Sequence, residues 1–107
     1  MSNSNTATLS LRSVLEKDKL NETNFFDWFR NLRIVLKHER KVYVLDQPIP
    51  DEPASNALRA QRDAYMKHKD DSVDVGCLML ATMVPELHRD LEHMKTYEII
   101  VHLKDMF

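Results

Sequence analysis

Glycine is nearly missing from this chain: one occurs in 107 residues, at Gly76. Phosphate-cradling loops such as G-x-G-x-x-G or G-x-x-x-x-G-K-S/T need several glycines, so nucleotide binding of those kinds is excluded. Meanders and barrels depend on glycine-bearing turns, which argues against an all-β architecture. Cysteine is equally scarce. The single Cys77 excludes an internal disulfide framework and a cysteine-rich zinc site, and reads as a free thiol in a reduced, intracellular protein. Long apolar runs are absent: the longest, Val75 to Ala81, is too short to span a bilayer. The Ser/Asn/Thr-rich start lacks the layout of a signal peptide. An excess of positive charge is absent too, since 15 Lys and Arg face 17 Asp and Glu, which argues against gripping nucleic acid by bulk electrostatics.

What the chain does contain is helical periodicity. Residues 1–9 read as a flexible polar tail and 10–107 as one helical lobe. Leu11, Val14 and Leu15 stand at helical spacing within residues 10–19. They serve either as core or as assembly contacts. Asn24 is a candidate N-cap for an amphipathic helix over 25–39, whose inward stripe is Phe25, Trp28, Phe29, Leu32, Val35 and Leu36. Val42 to Leu45 is apolar but has no partner strand, which favours a short helical turn. Three prolines between Gln47 and Pro53 mark a loop that carries Ile49.

Ser55 is a candidate cap for one long helix reaching Met83, with Leu58, Tyr65, Met66, Val73, Cys77, Leu80, Ala81 and Val84 in its apolar stripe and Leu78 and Met79 making the latter stretch nearly buried all round. Gly76 inside it points to close helix contact. Pro85 opens a short helix to about His93, with Leu87, Leu91 and Met94 inward. Thr96 caps a last helix whose apolar face is Ile99, Ile100, Leu103, Met106 and Phe107. The expected fold is all-α, a compact orthogonal bundle of about five helices.

Chemistry-bearing constellations are sparse. His38, His68, His88, His93 and His102 lack H-E-x-x-H or finger spacing and read as surface histidines, so no metal or other cofactor is expected. Cys77 lies in an apolar stretch, where cysteine behaves as a small buried hydrophobe. Asp70, Asp71 and Asp74 read as a solvated acidic face. Arg30, Arg33, Lys37, Arg40 and Lys41 form the one local basic concentration, a candidate for weak RNA contact through Arg30, Arg33 and Lys37. No catalytic triad or phosphate loop is legible, and the chain is not expected to be an enzyme.

The segment Lys19-Leu20-Asn21-Glu22-Thr23-Asn24-Phe25-Phe26-Asp27-Trp28 resembles the L-x-G-x-N-F/Y-x-x-W opening of the Gag polyprotein of copia-type LTR retrotransposons, with Glu22 in place of the frequent glycine. Asn31 to Leu36 is similar to the family's first long helix. Val42 to Leu45 resembles its short apolar L-W-x-V segment, without the tryptophan. Tyr65, Asp70 or Asp71, and Leu78 to Ala81 resemble a W-x-x-x-D…A…I-x-x-S-L stretch, with tyrosine for tryptophan. Lys95 to Phe107 is similar to the T-A-K-E-x-W-x-x-L-x-x-x-F ending. The likeness runs from about Leu11 to Phe107.

The resemblance implies a structural protein, the N-terminal capsid lobe of Gag or a domesticated relative of it. Such a lobe takes part in self-assembly of a cytoplasmic virus-like particle that packages element RNA. The family's second lobe and zinc knuckle have no counterpart here, so RNA would be held mainly by regions absent from this chain. The implied partner is the protein itself, with Leu11, Val14, Leu15 and Ile49 as candidate assembly contacts and no membrane. The alternative is a Gag-derived interaction module that takes a peptide or helix in an apolar groove.

Overall fold

Every regular element in residues 11–107, the part described by this computed structural model, is helical. The expected tail over residues 1–9 lies outside the described residues. Six helices follow one another among the described residues: α1 (residues 11–17), α2 (Phe25–His38), α3 (Tyr43–Asp46), α4 (Arg59–Ala81), α5 (Pro85–Leu91) and α6 (Thr96–Met106). The fold is all-α.

Helix α2 buries Phe25, Trp28, Leu32, Val35 and Leu36, a stripe at spacings of three and four. Its N-cap differs from expectation. Asn24 makes no side-chain cap bond; its Oδ1 accepts the Asn21 N–H (2.8 Å) and its Nδ2 donates to the Lys19 carbonyl (2.9 Å). The side chain therefore locks the preceding loop instead of the helix. The other end is closed by a Schellman arrangement: Lys41 N–H donates to Leu36 O (2.8 Å) and Arg40 N–H to Lys37 O (3.2 Å). That turn needs a left-handed residue, and Arg40 supplies it with φ 62°.

Val44 and Leu45 of α3 are fully buried, as a short helical turn on the core requires. Helix α4 begins at Arg59, later than Ser55, because the chain first closes a turn from Ala57 N–H to Ala54 O (2.9 Å). Beyond α4 the backbone runs briefly alongside Leu20. Leu20 N–H donates to Thr82 O (2.8 Å) and Val84 N–H to Leu20 O (3.0 Å), an isolated parallel bridge that ties the α1–α2 loop to the α4–α5 connection. Thr82 sits wholly buried at this seam. Its hydroxyl oxygen accepts the Trp28 Nε1–H (3.2 Å) and lies within bonding distance of the Leu78 and Met79 carbonyls.

One apolar cluster unites these elements, from Leu15 and Leu20 through α2 and α3 to Leu91, Ile99, Ile100 and Leu103. Phe29 and Leu80 pack against it partly buried. Helix α6 is held by α3 on one side and α4 on another. Thr96 stands at its first turn, after the N-cap Lys95, whose N–H donates to the Glu98 carboxylate (3.1 Å). The Thr96 hydroxyl donates instead to the Ser72 carbonyl on α4. Gly76 does mark a close helix contact, with Thr96 as its neighbour.

The inward face of α4 matches the expected one at Leu78 and Met79 and differs from it elsewhere. It is His68, Ser72, Val75, Gly76, Leu78 and Met79. Cys77 is exposed, as are Leu58, Met66 and Val73, and Tyr65 is only half-buried; none of the five belongs to the core. The reason is the approach of α6. A face with serine and glycine at 72 and 76 lets another helix close in, and the bulkier Val73 and Cys77 are turned outward.

Candidate functional site

The first nine residues of α4 have little beneath them. Among residues 59–67 only Tyr65 is even half-buried. The proline loop flanks this projecting segment, with Pro50, Pro53 and Ala57 near Gln61, Ala64 and Tyr65. His68, buried at the base, places Nε2 3.3 Å from the Gln47 carbonyl and meets the Tyr43 ring edge-on.

Two charge networks hold these parts in register. Arg12 of α1 donates to both carboxylate oxygens of Glu39 and reaches Asp74 of α4 at 3.3 Å, while Lys41 donates to the same Asp74 oxygen at 2.6 Å. Hydrogen bonding from Arg12 holds the Glu39 carboxyl below its ordinary value, and Lys41 does the same for Asp74. Around α3, the Tyr43 hydroxyl and Lys67 Nζ both donate to Asp71 Oδ2 (2.6 Å each). Burial, reinforced by Asp71, pushes the Tyr43 phenol up. Burial alone would raise Asp71, but the bonds from Lys67 and Tyr43 outweigh it and its carboxyl is lowered. Asp71 and Asp74 are therefore fastenings for α3 and α1, not parts of a solvated acidic face.

The basic concentration is partly neutralised in the same manner. Arg33 pairs with Asp46 (3.0 Å) and lies over the Phe29 ring, Arg30 pairs with Asp27 (3.4 Å), and Lys41 is taken by Asp74. Lys37 is exposed and lines a shallow hollow with Arg30, Arg33 and half-exposed Ile34. The histidines do not converge. His88 lies 3.4 Å from Glu92, and among the described residues no three His, Cys, Asp or Glu side chains group around one point.

Of the residues named as assembly contacts, Leu15 is buried in the core, which removes it from the outer surface, and Leu11 packs against the core partly buried. Van der Waals closure of α1 onto the bundle explains both. Val14 remains partly exposed, and Ile49 lines a groove. That groove, of about 670 Å³, lies between α4, the proline loop and the α5–α6 connection, with Ile49, Tyr65, Val73, Cys77, Leu80 and Met94 among its lining. Met94 also borders a second hollow of about 710 Å³ along the outer side of α6, beside Tyr97 and Val101. A separate aromatic group lies where α2 begins and α6 ends: Phe25 stacks on Phe107 (5.2 Å) and Phe29 (5.4 Å), and Phe26 lies outside them, 70% exposed.

The α4 groove is an extended, largely apolar concavity. Sequence periodicity pointed its key residues inward, because Val73, Cys77 and Leu80 fit a helical stripe as well as the true inner face does. The signal for the correct face was the small-residue spacing of Ser72 and Gly76. No protein-family model, curated protein or solved structure matches this chain. No helix among the described residues is long and apolar enough to cross a membrane.

Proposed function

We propose that this chain is a structural assembly module, the N-terminal capsid lobe of a copia-type Gag protein or a domesticated derivative. In that role it helps build a particle that packages element RNA, with RNA capture left to other regions. The observation that carries the reading is where the Gag-like segments meet. Leu20, Phe25 and Trp28 of the opening segment share one core with Val44, Leu45, Ile99, Ile100 and Leu103, and Phe25 stacks on Phe107 of the ending. Segments that resemble one family in order and spacing are thus the ones that close the fold. A self-closed helical unit with an apolar groove on its outer side suits repeated, individually weak contacts.

Electron microscopy and light scattering of the Gag polyprotein carrying this lobe test the reading. Particles are expected from the intact polyprotein and not from one lacking residues 10–107. Particles that form equally well without those residues would sink the assignment. The groove beside Ile49 and Val73 supports a second reading, capture of a peptide or helix from another protein.

A further inference from the structure

We propose that the outward face of α2 holds a short stretch of single-stranded nucleic acid, with its phosphates on Arg30, Arg33 and Lys37 and a base stacked on Phe26. Phe26, Arg30, Arg33, Ile34 and Lys37 recur at intervals of three and four residues, so they form one side of the helix. The opposite side carries Trp28, Leu32, Val35 and Leu36 into the core. Phe26 and Ile34 are nevertheless large, apolar and exposed. Bare apolar groups set among cations mark a contact surface.

Chemistry selects the ligand. A hollow of about 390 Å³ on this face is lined by Arg30, Arg33, Ile34, Lys37 and Val42, with no carboxylate in its wall. Cations interleaved with apolar groups fit a chain that alternates anionic groups with flat bases. Phe26 stands one turn from Arg30, and its T-shaped contact with Phe25 (5.5 Å, 66°) covers at most one of its ring faces. The other face is free for stacking. A bilayer fits less well, because an interfacial helix puts its apolar residues on one side and its cations on the other. Here both share one side. Arg30 pairs with Asp27 (3.4 Å) and Arg33 with Asp46 (3.0 Å), but all four side chains are at least 40% exposed. Pairs so open to solvent are weak and yield to a phosphate. The net charge of −2 confines the grip to this face and keeps it weak. The contact goes beyond the assembly reading, and does not depend on it.

Fluorescence anisotropy of the purified chain with an oligouridylate of about twelve nucleotides measures the contact. An oligothymidylate of the same length should compete, since phosphates and base faces are common to both. Affinity should fall about twentyfold between roughly 50 and 200 mM salt, as three phosphate contacts on a single strand require. Lys37→Gln should flatten that salt dependence by about a third. Phe26→Leu keeps apolar bulk but removes the stacking platform, and should weaken binding at least about fivefold, whereas Phe26→Trp should not. Asp27→Asn should tighten binding by releasing Arg30. All three positions are exposed, so circular dichroism should show the fold retained in each variant. Absence of binding at low salt, a salt dependence unmoved by Lys37→Gln, or undiminished binding by Phe26→Leu overturns the proposal. So does an oligothymidylate that fails to compete, or tighter binding to phosphatidylserine vesicles or polyglutamate than to the oligouridylate. The capsid reading is untouched by these results, because it stands or falls on removal of residues 10–107.

Discussion

A methyl group built onto Gly76 of α4 would lie 2.5 Å from the hydroxyl oxygen of Thr96 on α6. That oxygen cannot retreat freely, since Thr96 is buried and bonds across to the Ser72 carbonyl. Gly76→Ala gains about 1 kcal/mol of helix propensity, but the clash reverses the sign. A net loss of roughly 1–2 kcal/mol is expected from overpacking. Urea melts of Gly76→Ala, Thr96→Ala and the double variant measure the coupling, and the double variant should be more stable than the two single losses sum to. Simple additivity would mean that the helices do not meet there.

The left-handed turn after α2 gives a prediction of opposite sign. Arg40 holds φ 62°, a conformation that glycine adopts without a Cβ penalty. Both Schellman hydrogen bonds are backbone bonds and survive substitution. Arg40→Gly should therefore stabilise the fold by about 0.5–1 kcal/mol after the greater entropy of an unfolded glycine is deducted. Thermal melts should show Tm raised by a few degrees; a lowered Tm would assign Arg40 a stabilising contact that outweighs its backbone strain.

Helix α4 shows what the sequence could and could not reveal. Helices α2 and α6 carry most of their apolar residues on one side, so their inner faces were largely legible from spacing: Trp28, Leu32, Ile100 and Leu103 are buried as expected. Met106, expected inward at the end of α6, is exposed along with Phe26, Ile34 and Val101. In α4 two stripes compete, one apolar and one built from His68, Ser72, Gly76 and Met79. Periodicity favours the first, whereas close packing against α6 selects the second. The groove was illegible for the same reason, since its walls come from a loop and a connection whose path depends on that packing. Cys77 discriminates between the two faces. Native protein should react fully with a thiol reagent before any denaturant is added, and Cys77→Ser should change stability by no more than about 0.5 kcal/mol. A thiol protected until unfolding would restore the inward face.

Thr82, wholly buried, joins Trp28 to the end of α4. Replacing it with valine keeps the shape but leaves the Trp28 N–H without its acceptor, at a cost of about 1–3 kcal/mol. Thr82→Ser retains the oxygen and should cost less than half of that. Guanidinium melts of the two variants separate hydrogen bonding from packing, and a loss for Thr82→Ser as large as that for Thr82→Val would show that the packing of the Thr82 methyl counts for as much as its hydroxyl.

The Arg12–Glu39–Asp74–Lys41 network ties α1, the end of α2 and α4 together, and its contribution depends on pH with a definite sign. Glu39 and Asp74 are held below their ordinary values of 4.5 and 3.8, so the folded state binds these protons less readily than the unfolded chain does. Their stabilisation is complete above those ordinary values and drains away as pH falls through the lowered ones. Solvent reaches the network, with Arg12 and Asp74 side chains 34% and 41% exposed, so its worth is screened to about 1 kcal/mol. At pH 7, Glu39→Gln should be less stable than the unaltered chain by roughly that amount. Urea melts stepped from pH 7 to pH 3 should show the gap constant down to about pH 5 and closing below it, as protonation of Glu39 makes the two proteins alike. A gap that persists undiminished at pH 3 would place the cost of the substitution in packing, not charge.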